Sequence, residues 1–137
     1  MRPSAIELGV GLPLALLAGV LVGTLGTFKH QVGVSAATGA GLPYGLVLSL
    51  AMVAAVLAAL RVGFGTRLFA AAAAVGVIGA VLLLSLKGPG GSVVVLANGE
   101  GVAWTVGPAL IAAVVVGAPR LRPRRERERA DGILDGD

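Results

Sequence analysis

Four long apolar stretches, almost free of charge, are the feature that most constrains this chain. They cover about residues 5–28, 42–60, 68–86 and 102–118. A helix needs about 17–25 apolar residues to cross the hydrocarbon of a bilayer. None of the stretches has a polar stripe at helical spacing, and 137 residues cannot build a core that hides four such helices. The sequence therefore predicts four membrane spans.

The spans are predicted to be helices, because lipid cannot satisfy a free backbone N–H or C=O group. Charged residues make up 13% of the chain, against about 25% in a typical soluble domain, and they cluster between and after the apolar stretches. The predicted fold is an all-α transmembrane four-helix bundle over residues 1–118. A charged, disordered tail is predicted for residues 119–137.

Several residues mark the predicted helix ends. Ser4 and Glu7 have the spacing of a capping box ahead of the first span. Pro43 is placed to start the second helix, and Pro108 inside the fourth predicts a kink. The first stretch could instead be a signal peptide, but its apolar run exceeds the usual 7–15 residues. Cleavage there would leave three spans in the same orientation.

The basic residues predict how the spans are oriented. One side receives nine of them: Arg2, Arg61, Arg67 and the tail residues Arg120, Arg122, Arg124, Arg125, Arg127 and Arg129. The other side receives Lys29 and Lys87. The positive-inside rule then predicts a multi-pass protein of the plasma membrane with both termini cytoplasmic. Tyr44 and Trp104 fall at outer span ends, where we expect them to anchor at the headgroups, with ligand stacking as the alternative.

Small residues recur at four-residue spacing on three of the spans. They are Gly19 and Gly23, Gly76 and Ala80, and the series Ala51, Ala55 and Ala59. Helices in lipid associate by close packing of such residues. We expect these faces to pack within the chain, and a homodimer through the Gly19–Gly23 face is the alternative.

Few residues of the chain are suited to chemistry. It has no cysteine and one histidine, His30, which excludes disulfides and thiolate metal sites and argues against a histidine metal site. Glu7 is the carboxylate closest to the membrane interior. Small four-span drug exporters use a glutamate of their first helix for proton exchange, but Glu7 lies about one turn from the helix start. Its position at the positive end of the helix dipole favours capping.

Hydroxyl groups are the other polar groups in the spans. Among them are the hydroxyls of Thr24, Ser49, Ser85 and Thr105. Each can bond to its own helix backbone, and the spans hold no histidine or aspartate to activate one as a nucleophile. We therefore predict no catalytic, cofactor-binding or metal site, and no enzymatic activity.

Two segments outside the spans are distinctive. The outer loop, residues 87–101, contains the turn-forming pair Asn98-Gly99, and it could be a hairpin, a re-entrant segment or a plain connector. The tail alternates arginine with glutamate and is expected to fix topology and to contact anionic lipid. The net charge of +4 comes from this local cluster, not from a basic folded face, so nucleic-acid binding is not expected.

The length, the span spacing and the loop sequence KGPGGSVVV beginning at Lys87 resemble a family of small actinobacterial four-span membrane proteins of unknown function. Ser92 stands where members of that family often have an acidic residue. The resemblance implies a membrane protein of that kind and carries over no functional residues. We expect a non-catalytic accessory or scaffolding component, with the bilayer and a larger membrane protein or a second copy as partners. The alternative is a small oligomeric transporter or channel.

Overall fold

The computed structural model describes residues 4–30, 32–33, 43–86 and 99–119, and these residues are helical apart from short connections. The helices are α1 (Ala5–Lys29), α2 (Tyr44–Gly63), α3 (Arg67–Ser85) and α4 (Gly99–Gly117). All four are long and apolar enough to cross a membrane. A helix of 19 residues, such as α3 or α4, is about 29 Å long, close to the thickness of bilayer hydrocarbon. The predicted all-α fold is confirmed.

The helix ends follow the sequence signals with some shifts. Ser4 caps α1, and Pro43 is the residue before α2. The last residues of the predicted outer loop, from Gly99 on, are instead the first turn of α4. Pro108 lies inside α4 as expected, while the kink there stays a prediction. The rest of the predicted loop and the tail beyond Pro119 lie outside the described residues.

Helices α1 and α3 run in the same direction. Gly11 faces the ring of Phe69 near the start of both helices, and Gly23 faces the backbone of Val77 further along both. Residue numbers therefore rise together on the two helices. This pair makes the most extensive helix–helix contact in the bundle.

Helices α2 and α4 form a second pair with a common direction. Leu50 contacts Gly107, and Arg61 further along α2 bonds to the carbonyl of Val116 further along α4. The end of α1 meets the start of α4 at Trp104. The two pairs therefore run in opposite directions, as four successive membrane crossings require.

The bundle consequently has two distinct ends. The basic end holds Arg61, Arg67 and Pro119 together with the start of α1, and the tryptophan end holds His30 and Trp104. Both termini of the described region lie at the basic end. This arrangement agrees with the even number of spans, which places both ends of the chain on one side.

Small residues bring α1 and α3 into backbone contact. A Cβ atom on Gly19 would overlap the carbonyl of Ala73, and one on Gly23 would lie 2.8 Å from the carbonyl oxygen of Val77. Gly76 faces the carbonyl of Leu16 in the same way. The prediction that the Gly19–Gly23 and Gly76–Ala80 faces pack within the chain is confirmed, and α3 is the most buried of the four helices.

The prediction for α2 was wrong. Ala51, Ala55 and Ala59 are exposed on the outside of the bundle, where Ala51 helps line an open apolar groove of about 460 Å³. The inward face of α2 consists of Gly45, Ser49, Val53 and Leu57. Val53 and Leu57 are fully buried and belong to the same core cluster as Ala15, Ala73 and Val77.

Large apolar side chains cover the outside of all four helices. Leu21, Leu48, Leu83 and Val114, one from each helix, are more than half exposed. A soluble monomer rarely exposes apolar patches larger than a few hundred Å². A surface of this composition is consistent with an integral membrane protein surrounded by hydrocarbon.

Candidate functional site

The tryptophan end contains a buried polar cluster made by two helices. Trp104 of α4 is fully buried, and its indole Nε1–H donates to Thr27 Oγ1 of α1 at 3.0 Å. The Thr27 hydroxyl in turn donates to the carbonyl oxygen of Gly23 at 2.7 Å. The indole N–H of Trp104 and the hydroxyl of Thr27 therefore both have hydrogen-bond partners, as burial in an apolar bundle demands.

His30 extends the same cluster. Its side chain is fully buried, and its Nδ1 lies 2.6 Å from the carbonyl oxygen of Thr27. Because a carbonyl oxygen only accepts, Nδ1 carries the proton. The imidazole ring stacks on the indole of Trp104 with centroids 5.8 Å apart and an interplanar angle of 12°.

The absence of a side chain at Gly26 makes room for this cluster. A Cβ atom on Gly26 would overlap the six-membered ring of Trp104. Thr27 and His30 follow on α1, and the backbone N–H of His30 closes the helix by donating to the Gly26 carbonyl at 2.9 Å. The last turn of α1 thus forms the surface against which the Trp104 ring packs.

The prediction that Trp104 anchors at the headgroups was therefore wrong. An indole at the end of a span suits the interface, but here its N–H finds Thr27 inside the bundle and the ring is enclosed. Tyr44 is 58% exposed, which is compatible with the anchoring predicted for it. Sequence analysis missed Thr27, because its partner is 77 residues away.

The basic end contains a different polar arrangement, in which arginines cap a helix. Arg61 Nη1 donates to the carbonyl oxygen of Val116 at 3.2 Å, and its Nη2 donates to that of Ala118. Arg67 Nη2 also reaches the Ala118 carbonyl, at 3.3 Å. These bonds satisfy carbonyls at the C-terminus of α4, where the helix dipole favours positive charge.

Glu7 has the predicted capping role. Its carboxylate accepts from the backbone N–H of Ser4 at 2.6 Å, and its own N–H donates to the Ser4 hydroxyl at 3.2 Å. The side chain is exposed at the very start of α1. The capping box is confirmed, and the glutamate lies far from the middle of the bundle.

The hydroxyls of Thr24, Ser85 and Thr105 also behave as predicted. Each donates to the carbonyl oxygen four residues earlier in its own helix, at 2.7–2.8 Å. Ser49 is buried on the inward face of α2. Within the described residues no group of His, Asp or Glu side chains is arranged to hold a metal ion.

Comparisons with protein-family models, with curated proteins and with solved structures find no match to this chain. The resemblance to the actinobacterial four-span family is neither supported nor contradicted by them and stays a prediction. The functional conclusion therefore depends on the geometry of the bundle.

Proposed function

We propose that this chain is a non-catalytic accessory or scaffolding component of the plasma membrane, embedded as a four-span bundle. The observation that carries the proposal is the composition of the bundle interior. Its middle is filled by apolar side chains: Ala15 on α1, Val53 and Leu57 on α2, Ala73 and Val77 on α3, and Ala112 on α4. Such a core supports a structural role.

The alternative, a small transporter or channel, requires a line of polar groups or a water-filled constriction. Within the described residues, the buried polar side chains are Thr27, His30 and Ser49. Thr27 and His30 belong to the cluster at the tryptophan end, and the core between that cluster and the basic end is apolar. The described part of a single copy thus contains no polar path, and conduction through it would need a path between copies.

For orientation we propose that the basic end faces the cytoplasm. Arg61 and Arg67 lie there with both termini of the described region, whereas Lys29 lies at the tryptophan end. The positive-inside rule favours this orientation. A reporter enzyme that is active only in the cytoplasm, fused after Asp137, is expected to be active. Activity of a periplasmic-type reporter at that position instead would overturn the orientation without affecting the fold.

Purification of the full chain from native membranes in mild detergent tests the role. An accessory component is expected to co-purify with a larger membrane protein in a fixed ratio. The same sample reconstituted in liposomes is expected to conduct no ions. A stable oligomer without a partner that conducts ions would refute the accessory role and establish the alternative.

A further inference from the structure

At the basic end, two positively charged side chains share one carbonyl acceptor. Arg61 and Arg67 both donate to the carbonyl oxygen of Ala118, so their guanidinium groups lie next to each other. Two like charges this close repel, and the C-terminal dipole of α4 is equivalent to only about half a negative charge. Among the residues that the structure describes, this arrangement lacks compensating negative charge.

No carboxylate of the described residues supplies that charge. The described part of the chain contains two acidic side chains, Glu7 and Glu100. Glu7 is bonded to the backbone of Ser4, and Glu100 lies in the first turn of α4, at the opposite end of the bundle. Neither pairs with Arg61 or Arg67.

The arginines also retain hydrogen-bonding capacity. A guanidinium carries five N–H groups. The bonds to Val116 and Ala118 use two of these on Arg61 and one on Arg67. The remaining donors suit the oxygens of a phosphate group, which arginine binds in bidentate geometry.

The start of α3 adds donors at the same place. Thr66 is the N-cap residue of α3, but its side chain makes no capping hydrogen bond. Its hydroxyl oxygen is buried without a partner, so it leaves the first amide N–H groups of the helix uncapped. Amide N–H groups that are left uncapped at a helix N-terminus bind anions. The first of these groups belongs to Arg67 itself, because α3 begins at that residue.

We propose that Arg61, Arg67 and the N-terminus of α3 form a binding site for the phosphate of an anionic lipid headgroup. Arg61 and Arg67 lie at the ends of the candidate spans α2 and α3, and the ends of such spans are expected near the lipid phosphates. Basic pockets between membrane helices bind headgroups in this way. The proposal requires membrane embedding but is independent of the accessory role.

Native mass spectrometry of the full chain in neutral detergent tests the site. The probes are dioctanoyl phosphatidylglycerol, dioctanoyl phosphatidylcholine and inorganic phosphate. Saturable binding of one phosphatidylglycerol is expected, tighter than that of phosphatidylcholine. Arg67→Gln should weaken this binding about fivefold. The control Lys29→Gln removes one positive charge from an exposed side chain at the opposite end of the bundle and should leave the binding unchanged.

A second variant separates the site from general charge attraction. Thr66→Asp places a carboxylate where it can cap α3 and neutralise the arginines, so phosphatidylglycerol binding should be lost while circular dichroism still shows the helices. Competition by inorganic phosphate would identify the phosphate group as sufficient, and its failure would identify the lipid as the ligand. The proposal is overturned if the two lipids bind alike, or if Arg67→Gln and Lys29→Gln weaken binding equally.

Discussion

The two parallel helix pairs are held together by different means. In the α1–α3 pair, Gly19 lies against the main-chain carbonyl of Ala73. In the α2–α4 pair, Gly107 lies against Cδ2 of Leu50, where a Cβ atom would approach to 2.6 Å. Backbone cannot move aside without moving its helix, whereas a leucine methyl can rotate away. The first pair is therefore rigidly specified, and the second can adapt.

The largest expected effect is at Gly19. Gly19→Ile should destabilise the fold by about 3 kcal/mol or more, because it forces α1 away from α3. The free energy of unfolding in mixed dodecyl sulfate and maltoside micelles measures it. Gly9→Ile is the matched control on the same helix, since nothing lies within 4 Å of its added Cβ. Equal losses in both variants would refute backbone contact as the cause.

The next effect tests the link between the pairs. Trp104→Phe should cost about 1–2 kcal/mol, because it removes the bond to Thr27 and part of the buried ring. Tyr44→Phe, at an exposed aromatic, should change stability by less than about 0.5 kcal/mol. If the Tyr44 variant loses as much as the Trp104 variant, the buried cluster does not join α1 to α4 as described.

A smaller effect is expected at the basic end of the adaptable pair. Arg61→Met should cost about 1 kcal/mol, since it removes two bonds to α4 carbonyls. Arg67→Met removes one longer bond and should cost less. The same micelle unfolding measurement gives both values. A reversed order would show that the capping of α4 depends on Arg67.

The smallest effect sharpens the comparison directly. Gly107→Ala should change the free energy of unfolding by less than about 0.5 kcal/mol, because the gain in helix propensity offsets the movement of Leu50. Gly19→Ala, the same change in the rigid pair, should cost about 1–3 kcal/mol. Similar values for the two alanine variants would remove the distinction between the pairs.

The sequence was sufficient to predict the four spans, but it did not predict for every helix which face points into the bundle. Length and apolarity alone predicted four helices, because hydrocarbon admits few other structures. Gly19 and Gly23 were assigned correctly because close backbone approach needs residues of that size. Ala51 and Ala59 were not, since helices that are apolar all round contain no stripe that shows which face turns inward.

The polar cluster at the tryptophan end could not be predicted from the sequence. A tryptophan at the end of a span can lie at the membrane interface or be buried with its N–H in a hydrogen bond. The sequence around Trp104 is compatible with both placements. The choice depends on Thr27 and on the open space at Gly26, both in the first helix. Contacts between the first and last helices leave no local pattern, and the capping of α4 by Arg61 was missed for the same reason.

The position of Trp104 has a consequence for biogenesis. Because the ribosome synthesises the spans in order, α1 enters the bilayer before α4. The space at Gly26, near the end of α1, therefore stays unfilled until α4 has been inserted. The chain has a single tryptophan, and its indole ring fills the space at Gly26. Its emission spectrum should therefore report when α4 packs against α1, which is the final step of assembly.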